Sequence, residues 1–130
     1  MPNYIVDRFI TLMISRGHKV ADSNILIMGL SFKENCPDIR NTKVIDIYDE
    51  LKSYNTNVDI FDPWANKKEV LSKYGIDLIE TSDEKKYDAV ILAVAHKEFQ
   101  NINFEKLRSS STVVYDTKAF VKRTLVDGRL

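Results

Sequence analysis

The chain has 130 residues, of which 44% are hydrophobic, so it is long enough for one domain with a core of its own. Its 19 basic and 19 acidic side chains cancel, which excludes a global field that would attract nucleic acid or an anionic membrane. The sequence has no apolar run of the ~18 residues that a membrane span needs, and its single cysteine, Cys36, excludes an internal disulfide and a zinc site with several cysteine ligands.

The first predicted element is a helix over residues 2–17, because Pro2 suits a first helical turn and Gly17 suits a helix end. The opening residues lack the basic region and cleavage site of a secretory signal, so we expect a cytoplasmic protein. Apolar side chains cover more than one face of this helix, and such a surface needs a cover. The pattern leaves open whether this domain's own core or another part of a larger protein covers Ile5, Phe9 and Met13.

Residues 24–30 form the predicted central strand, since an apolar run over residues 25–29 is typical of a parallel strand that is buried on both faces. A polar loop of about ten residues follows. Apolar residues then recur at helical spacing from Val44 to Leu51, which predicts a helix that begins with Asn41 or Thr42 as its cap and continues to about Tyr54.

The remaining segments continue to alternate between strands and helices. Predicted strands cover residues 57–61, 76–80 (weak, at an edge), 88–95 and 112–115. Predicted helical segments are residues 66–73, closed by Gly75, a turn at 83–87, and a stretch within 98–108 with Phe99, Phe104 and Leu107 inward. This order predicts an α/β fold: a three-layer, Rossmann-like, doubly wound parallel sheet of about five strands, with helices on both faces and a helix before it.

The loop after the first strand is the candidate site, because ligands of open parallel sheets bind just beyond the carboxyl ends of the strands. A phenyl ring such as Phe32 can stack on a base or sugar, and the ammonium of Lys33 can pair with phosphate. Arg40 lies farther along the same loop, and Lys118 follows another strand. The residues alone leave a second interpretation open, in which Phe32 belongs to the core and Lys33 is simply solvated.

Three common sites of this fold class are not encoded here. Dinucleotide binding needs three glycines in G-x-G-x-x-G, but this turn has only Gly29, and Asp62 follows about 33 residues later instead of ~20. We therefore expect no NAD site and no other cofactor in this chain. A Walker phosphate loop is absent from the sequence, and the acidic pair that a receiver-type signalling domain needs for its metal is missing after the first strand.

One segment is specific enough to suggest a family. Residues 29–47 read GLSFKENCPDIRNTKVIDI and resemble the G-(L/F)-x-F-K-x-x-(T/C)-x-D-x-R-x-(S/T) motif in the carboxy-terminal, UDP-binding domain of the UDP-glucose/GDP-mannose dehydrogenase family. The version from Asn35 to Thr42 is similar to the branch that acts on UDP-N-acetylhexosamines for surface polysaccharide and capsule synthesis. Shorter segments that resemble the family occur along the whole chain: Met1-Pro2-x-Tyr4, Phe61-Asp62-Pro63, Ala95-His96-x-x-Phe99, Tyr115-Asp116-x-Lys118 and Asp127-Gly128-Arg129-Leu130.

The resemblance implies an oxidoreductase that converts the C6 hydroxyl of a UDP-sugar to a carboxylate and passes two hydrides to two NAD⁺. It places Phe32 and Lys33 at the bound UDP-sugar. Lys118 matches a basic residue near the sugar nucleotide, which in some relatives comes across a subunit contact. Arg40 matches the arginine of the motif and is expected to hold the loop together through Asp38 more than to touch the ligand.

The resemblance also implies a division of the chain. Residues 1–22 correspond to the end of the family's central dimerisation region, so the first helix would face that region, and residues 23–130 correspond to the UDP-sugar-binding domain. The NAD domain and the catalytic cysteine lie outside this sequence, so we expect no catalytic residue, no turnover by this chain alone, and a homo-oligomer at full length. Cys36 is expected to be a loop or packing residue, and His96 a turn residue. The alternative is a non-catalytic binding or assembly module that kept the fold and lost the ligand.

Overall fold

A computed structural model describes residues 2–40, 42–80, 86–101, 108–118 and 128–129. Its five strands form a single parallel sheet. They are β1 (Asn24–Met28), β2 (Asn57–Phe61), β3 (Tyr87–Leu92), β4 (Arg108–Asp116) and β5 (Gly128–Arg129), in the spatial order β2-β1-β3-β4-β5. The chain therefore leaves β1 in one direction to reach β2 and continues in the other direction from β3, so the switch point of the sheet lies between β1 and β3.

Alternation along the strands explains why the central ones are apolar throughout. Ile25 and Ile27 of β1 point into the core on one face of the sheet, while Leu26 and Met28 point into a second core on the opposite face. Successive side chains of a strand point to opposite faces, so a strand covered on both sides needs an apolar residue at every position. The predicted α/β class, with layers on both sides of a parallel sheet, is confirmed.

Three helices are described: α1 (Pro2–Ser15), α2 (Val44–Lys52) and α3 (Lys67–Tyr74). All three contribute to the core that also contains Ile25 and Ile27, so the described α-helices lie on one face of the sheet, whereas helices were predicted on both. A 3₁₀ segment, Lys97–Asn101, places Phe99 in the core on the other face. Phe104 and Leu107, which are predicted to point inward, lie outside the described residues, as do residues 83–85 of the turn predicted over 83–87. Tyr87, the last residue of that predicted turn, instead begins β3.

The surplus apolar surface of α1 belongs to this chain's own core. Phe9 and Met13 are fully buried and Ile5 nearly so, and the ring of Phe9 meets Tyr115 of β4 edge-on, with centroids 6.3 Å apart. The interpretation in which these residues face another part of a larger protein is therefore wrong. The large apolar side chains that α1 does expose include Ile14, at 61%.

Two helix ends illustrate how well local signals predicted the boundaries. For α3, the Asn66 side chain accepts the Glu69 N–H at 3.0 Å, and Gly75 closes the helix in the left-handed conformation at φ +70°. At α2 the cap is weaker, because Thr42 Oγ1 accepts the Val44 N–H at 3.2 Å and Lys43 occupies the N-cap position without a side-chain bond.

Several strand predictions need correction: the strand predicted over residues 24–30 ends at Met28, and the one predicted over 112–115 is Arg108–Asp116. Residues 76–80 run beside β2 but share with it one backbone bond, from Ile79 N–H to the Ile60 carbonyl oxygen at 3.0 Å, and they form no strand. The fifth strand is instead the two-residue β5, which pairs with Tyr115 and Asp116. The strand predicted over residues 88–95 ends at Leu92, and the residues after it form a loop at the switch point.

Within the part of the chain that the structure covers, none of the helices combines the length and the apolar character needed to cross a bilayer.

Candidate functional site

The candidate site lies where the loop after β1 meets the loop after β3. Ala93 N–H donates to the Met28 carbonyl oxygen at 2.9 Å, so the two loops stay joined just beyond the ends of their strands. This is the switch point of the sheet, where the chain diverges to either side and leaves a crevice.

Gly29 permits this close approach. Its φ is +102°, and a Cβ atom added there would lie 2.6 Å from Val94 Cβ and 2.9 Å from Val94 N. Glycine adopts such a positive φ without the steric cost of a side chain. The single glycine of the turn therefore serves the packing of two loops.

A cavity of about 200 Å³ opens in this crevice. Lys33, Lys43 and Lys118 line it, while Val44, Ala93 and Val94 supply apolar wall. Each lysine comes from a different place: the loop after β1, the start of α2 and the loop after β4. The fold thus brings together three cations that are far apart in sequence.

The charge of the cavity is positive. Glu34 is the one acidic residue among the described residues that line it, against three lysines. The helix α2 begins at Val44 on the cavity wall, so the partial positive charge of its N-terminus adds to that of the lysines. This arrangement suits an anionic ligand such as a sugar phosphate or nucleotide phosphate.

Phe32 lies at the same cavity and is 56% exposed. The interpretation in which Phe32 is part of the core is therefore wrong. An exposed ring beside three lysines can provide a flat apolar surface for a base or a sugar. Of the four residues predicted for the site, the structure brings together Phe32, Lys33 and Lys118.

Arg40 lies elsewhere. Its Nε and Nη2 atoms donate to the two carboxylate oxygens of Asp38 at 3.0 Å each, and its backbone N–H donates to Asp38 Oδ1 at 2.9 Å. Hydrogen bonds from the Arg40 side chain and backbone lower the pKa of Asp38 to about 2. The Asp38 carbonyl oxygen also accepts the Phe32 N–H at 2.6 Å. Arg40 thus stabilises the base of the loop, as its expected partnership with Asp38 predicts.

A larger and more open cleft, of about 420 Å³, is lined by Arg40 together with Lys68 and Lys73. This cleft runs along α3 and away from the strand ends that converge at the switch point. We therefore place the candidate site in the smaller cavity, where the loops from three strands meet.

Beneath the loop that carries Phe32 and Lys33 lies a buried carboxylate, Asp62, at the end of β2. Its Oδ2 atom accepts the N–H groups of Leu30 at 2.7 Å and Ser31 at 2.9 Å. Its Oδ1 atom accepts the N–H groups of Trp64 at 2.7 Å and Ala65 at 2.9 Å. Four backbone donors therefore converge on one side chain.

The fifth partner of Asp62 is His96, whose Nε2 lies 3.0 Å from Asp62 Oδ2. Burial on its own would raise the pKa of the Asp62 carboxyl, but hydrogen bonds from His96, Leu30 and Ser31 outweigh it and lower the pKa to about 2. Asp62 is therefore an ionised carboxylate at neutral pH and acts as a structural anchor of the loop.

The bonds of His96 define its tautomer. Its Nδ1 accepts the Asn35 N–H at 2.9 Å, so this nitrogen carries no proton. The proton therefore lies on Nε2, which faces Asp62 Oδ2 at 3.0 Å and Ser31 Oγ at 2.9 Å. The ring is neutral and binds the loop after β1 at two points.

Sequence reasoning missed several of these roles. His96 was expected in a turn, and its carbonyl oxygen does accept the Phe99 N–H at 3.0 Å, but its ring also joins two loops. The sequence placed Asp62 at the end of a strand and within a motif shared with the family, and excluded it as a ribose ligand, but it did not predict this anchoring role. Nor did it single out Lys43. The available signal was positional, because Asp62 directly follows a strand and Lys43 directly precedes the helix that starts at the crevice.

The described residues offer neither a metal site nor a disulfide. Among the described residues, no group of three or more His, Cys, Asp and Glu side chains is placed to hold a metal ion. Cys36 is partly buried in the loop and forms no disulfide.

Comparison with known proteins gives consistent results. The model of the UDP-glucose/GDP-mannose dehydrogenase family, UDP binding domain, matches residues 26–123. UDP-N-acetyl-D-glucosamine 6-dehydrogenase of Pseudomonas aeruginosa is 44% identical over 100% of this chain and 32% of its own length. Protein CapL of Staphylococcus aureus is 39% identical over 93% of this chain and 29% of its own length. The chain thus spans about a third of these relatives.

Solved structures agree on the fold. NDP-N-acetyl-D-galactosaminuronic acid dehydrogenase from Methanosarcina mazei superposes with a TM-score of 0.86 at 16% identity, over 98% of this chain and 28% of that one. A UDP-D-ManNAc dehydrogenase from Pyrococcus horikoshii gives 0.78 at 18% identity, over 98% and 30%. At these identities the likeness establishes the fold alone.

Proposed function

Since this chain belongs to the UDP-glucose/GDP-mannose dehydrogenase family and matches the UDP-binding domain of that family, we propose that it holds the sugar nucleotide for an NAD-dependent UDP-sugar 6-dehydrogenase. The observation that carries this proposal is the cavity at the switch point, where Lys33, Lys43 and Lys118 surround a space of about 200 Å³ beside the exposed ring of Phe32. A ring and a cluster of cations match the two parts of a nucleotide sugar, its flat base or sugar and its diphosphate.

Each predicted site residue has a role in this proposal. Lys33 and Lys118 pair with phosphate oxygens, and Phe32 covers the base or the sugar. Arg40 acts at a distance, because it holds Asp38, and the Asp38 carbonyl oxygen holds the Phe32 N–H. Lys43, at the start of α2, adds a third cation.

The substrate of the whole enzyme is proposed to be a UDP-N-acetylhexosamine, and its reaction the oxidation of the C6 hydroxyl to a carboxylate for surface polysaccharide. The names of the relatives support this choice, since the first of them is a UDP-N-acetyl-D-glucosamine 6-dehydrogenase at 44% identity. NAD and the catalytic nucleophile belong to protein outside this sequence. The partners of this chain are therefore the other domains of the same enzyme and, at full length, further subunits.

The division of the chain is part of the proposal. Residues 23–130 form the binding domain, and residues 1–22 lead into it from a central dimerisation region. The fully buried contacts of Phe9 and Met13 hold this leading helix against the domain. A helix packed in this way would fix the orientation of the domain relative to whatever precedes it.

A titration of the 130-residue chain followed by NMR tests the proposal. UDP should shift amide signals of residues 31–34, 42–44 and 93–94 with a dissociation constant of ~1 mM, because contacts from the rest of the enzyme are missing. NAD should leave these signals in place. Shifts that cluster elsewhere, or none at all, would contradict the proposal and favour the alternative of an assembly module that has lost the ligand.

A further inference from the structure

We propose that His96 is a positioning residue for the candidate cavity: as a neutral ring with its proton on Nε2, it fixes the segment that carries Phe32 and Lys33. The inference rests on the proposed function of that cavity. His96 itself does not line the cavity, so it would act through the loop it holds and not by touching the ligand.

The two attachments of the ring bracket the ligand-facing residues. Nδ1 accepts the N–H of Asn35, and Nε2 lies 2.9 Å from Ser31 Oγ. Phe32 and Lys33 lie between these two residues, and both of their side chains are exposed. Bonds on either side of an exposed pair fix the backbone from which the pair projects.

The hydrogen bonds of the Ser31 hydroxyl show which group donates in its contact with His96. It donates to the Lys33 carbonyl oxygen at 3.2 Å, so its oxygen is free to accept from His96 Nε2. The other tautomer would leave Nε2 without a proton opposite the Asp62 carboxylate and would set a proton on Nδ1 against the Asn35 N–H. Only one protonation pattern satisfies all of these groups.

Asn35 is held from a second side. Its backbone has φ +55°, in the left-handed region that asparagine adopts more readily than most residues with a side chain. Its Oδ1 atom accepts the Lys97 N–H at 2.8 Å, while its N–H donates to His96. His96 and Lys97 thus bind Asn35 through both its backbone and its side chain, which fixes its left-handed conformation.

The ring of His96 lies in a buried environment with two aromatic neighbours. His96 is fully buried, with Trp64 stacked at 6.2 Å between ring centroids and Phe99 edge-on at 5.4 Å. Loss of the ring would therefore leave the Asn35 N–H without its acceptor and the Ser31 oxygen without its donor. Such a loss would loosen residues 31–35, while Asp62 would still accept the Ser31 N–H.

The first test is the tautomer in the wild-type chain. Nitrogen NMR of the His96 ring should show the proton on Nε2 and a bare Nδ1. A proton on Nδ1, or a doubly protonated ring at neutral pH, would overturn the proposal irrespective of any ligand. This measurement needs no variant, so it stands even if substitutions at His96 impair folding.

The second test is a double-mutant cycle with UDP as the probe. His96→Gln keeps a donor for Asp62 but removes the acceptor for Asn35, so it should weaken UDP binding about two- to tenfold while the chain stays folded. If His96 acts through the loop, the loss in His96→Gln combined with Lys33→Ala should be smaller than the product of the separate losses. Restored binding in His96→Asn, which keeps an acceptor near Asn35, would support the role further.

The outcomes separate the two proposals. Full UDP affinity in folded His96→Gln, or losses that multiply independently, would overturn the role of His96 and leave the proposed function intact. A wild-type chain that shows no UDP-dependent shifts would overturn the proposed function and, with it, the role of His96 in binding.

Discussion

The carboxylate of Asp62 and the ring of His96 lie 3.0 Å apart, and both side chains are fully buried. Asp62 follows β2 and His96 lies in the loop after β3, yet both also bind the backbone or side chains of the loop after β1. A single buried pair thus joins the ends of three neighbouring strands at the switch point, directly beneath the candidate cavity.

The stability of the chain should depend on the ionisation of Asp62. Its pKa in the folded chain is about 2, below the ordinary value of 3.8, so its contribution is present above pH ~4 and is lost as the pH falls towards 2. A shift of this size corresponds to about 2 kcal/mol of unfolding free energy. Urea unfolding at a series of pH values should show the unfolding free energy of the wild type falling as the pH drops from ~4 towards 2. Asp62→Asn should remove most of this pH dependence.

Asp38 provides the matched control for this experiment, because its pKa is also lowered to about 2. Its partner Arg40 is exposed, so solvent and salt screen the pair. Asp38→Asn should therefore change the pH dependence little, and any effect should vanish in high salt. An equal effect of the two substitutions would contradict the assignment of Asp62 as the buried anchor.

Lys33→Ala should weaken UDP binding about ten- to hundredfold, since a hydrogen bond that involves a charged group contributes ~1.5–3 kcal/mol. The melting temperature should stay unchanged, because Lys33 is exposed. The dissociation constants can be read from NMR titrations.

Two substitutions serve as controls for Lys33→Ala. Lys68→Ala removes a lysine from the larger cleft, and Cys36→Ser changes the same loop outside the cavity lining. Both should bind UDP as wild type does. If Lys68→Ala weakens binding as much as Lys33→Ala, the ligand occupies the larger cleft and the site has been misplaced.

Phe9→Ala should destabilise the chain by ~3–5 kcal/mol, because it empties a fully buried position between α1 and β4. Ile14→Ala lies on the same helix, but Ile14 is 61% exposed, and the change should cost less than ~0.5 kcal/mol. Urea unfolding measures both. Equal, small effects would show that α1 is not part of the core and would return it to the partner-facing interpretation.

Gly29→Ala should destabilise the chain by more than the ~1–2 kcal/mol that a left-handed residue with a Cβ atom costs. The added Cβ would lie 2.6 Å from Val94 Cβ, so the loops after β1 and β3 would have to separate. Gly75→Ala is the matched control, since Gly75 also has a positive φ but no atom lies within 4 Å of an added Cβ. It should show the conformational cost alone in thermal unfolding.

Much of the local structure followed from the sequence. The apolar run of β1 predicted a strand buried on both faces, and Asn66 and Gly75 predicted the ends of α3 almost to the residue. The position of the loop after β1, with Phe32 and Lys33 beyond the end of a central strand, was predicted in the same way. These features depend on neighbouring residues, whose preferences are written in the sequence itself.

Other features were decided only by the tertiary structure. The apolar faces of α1 did not reveal what covers them, because an amphipathic pattern specifies burial and not the partner. β5 has two residues, and it is a strand because β4 offers an edge to pair with and not because of its own propensity.

The candidate site also follows partly from the sequence and partly from the tertiary structure. Three of its four predicted residues meet at the cavity, while Arg40 points to another cleft because its short-range pair with Asp38 holds it there. Asp62 and His96 are 34 residues apart in the chain, and nothing in their local sequence predicts that they touch. They meet because the sheet order places β2, β1 and β3 side by side, and that order is determined by how the whole core packs.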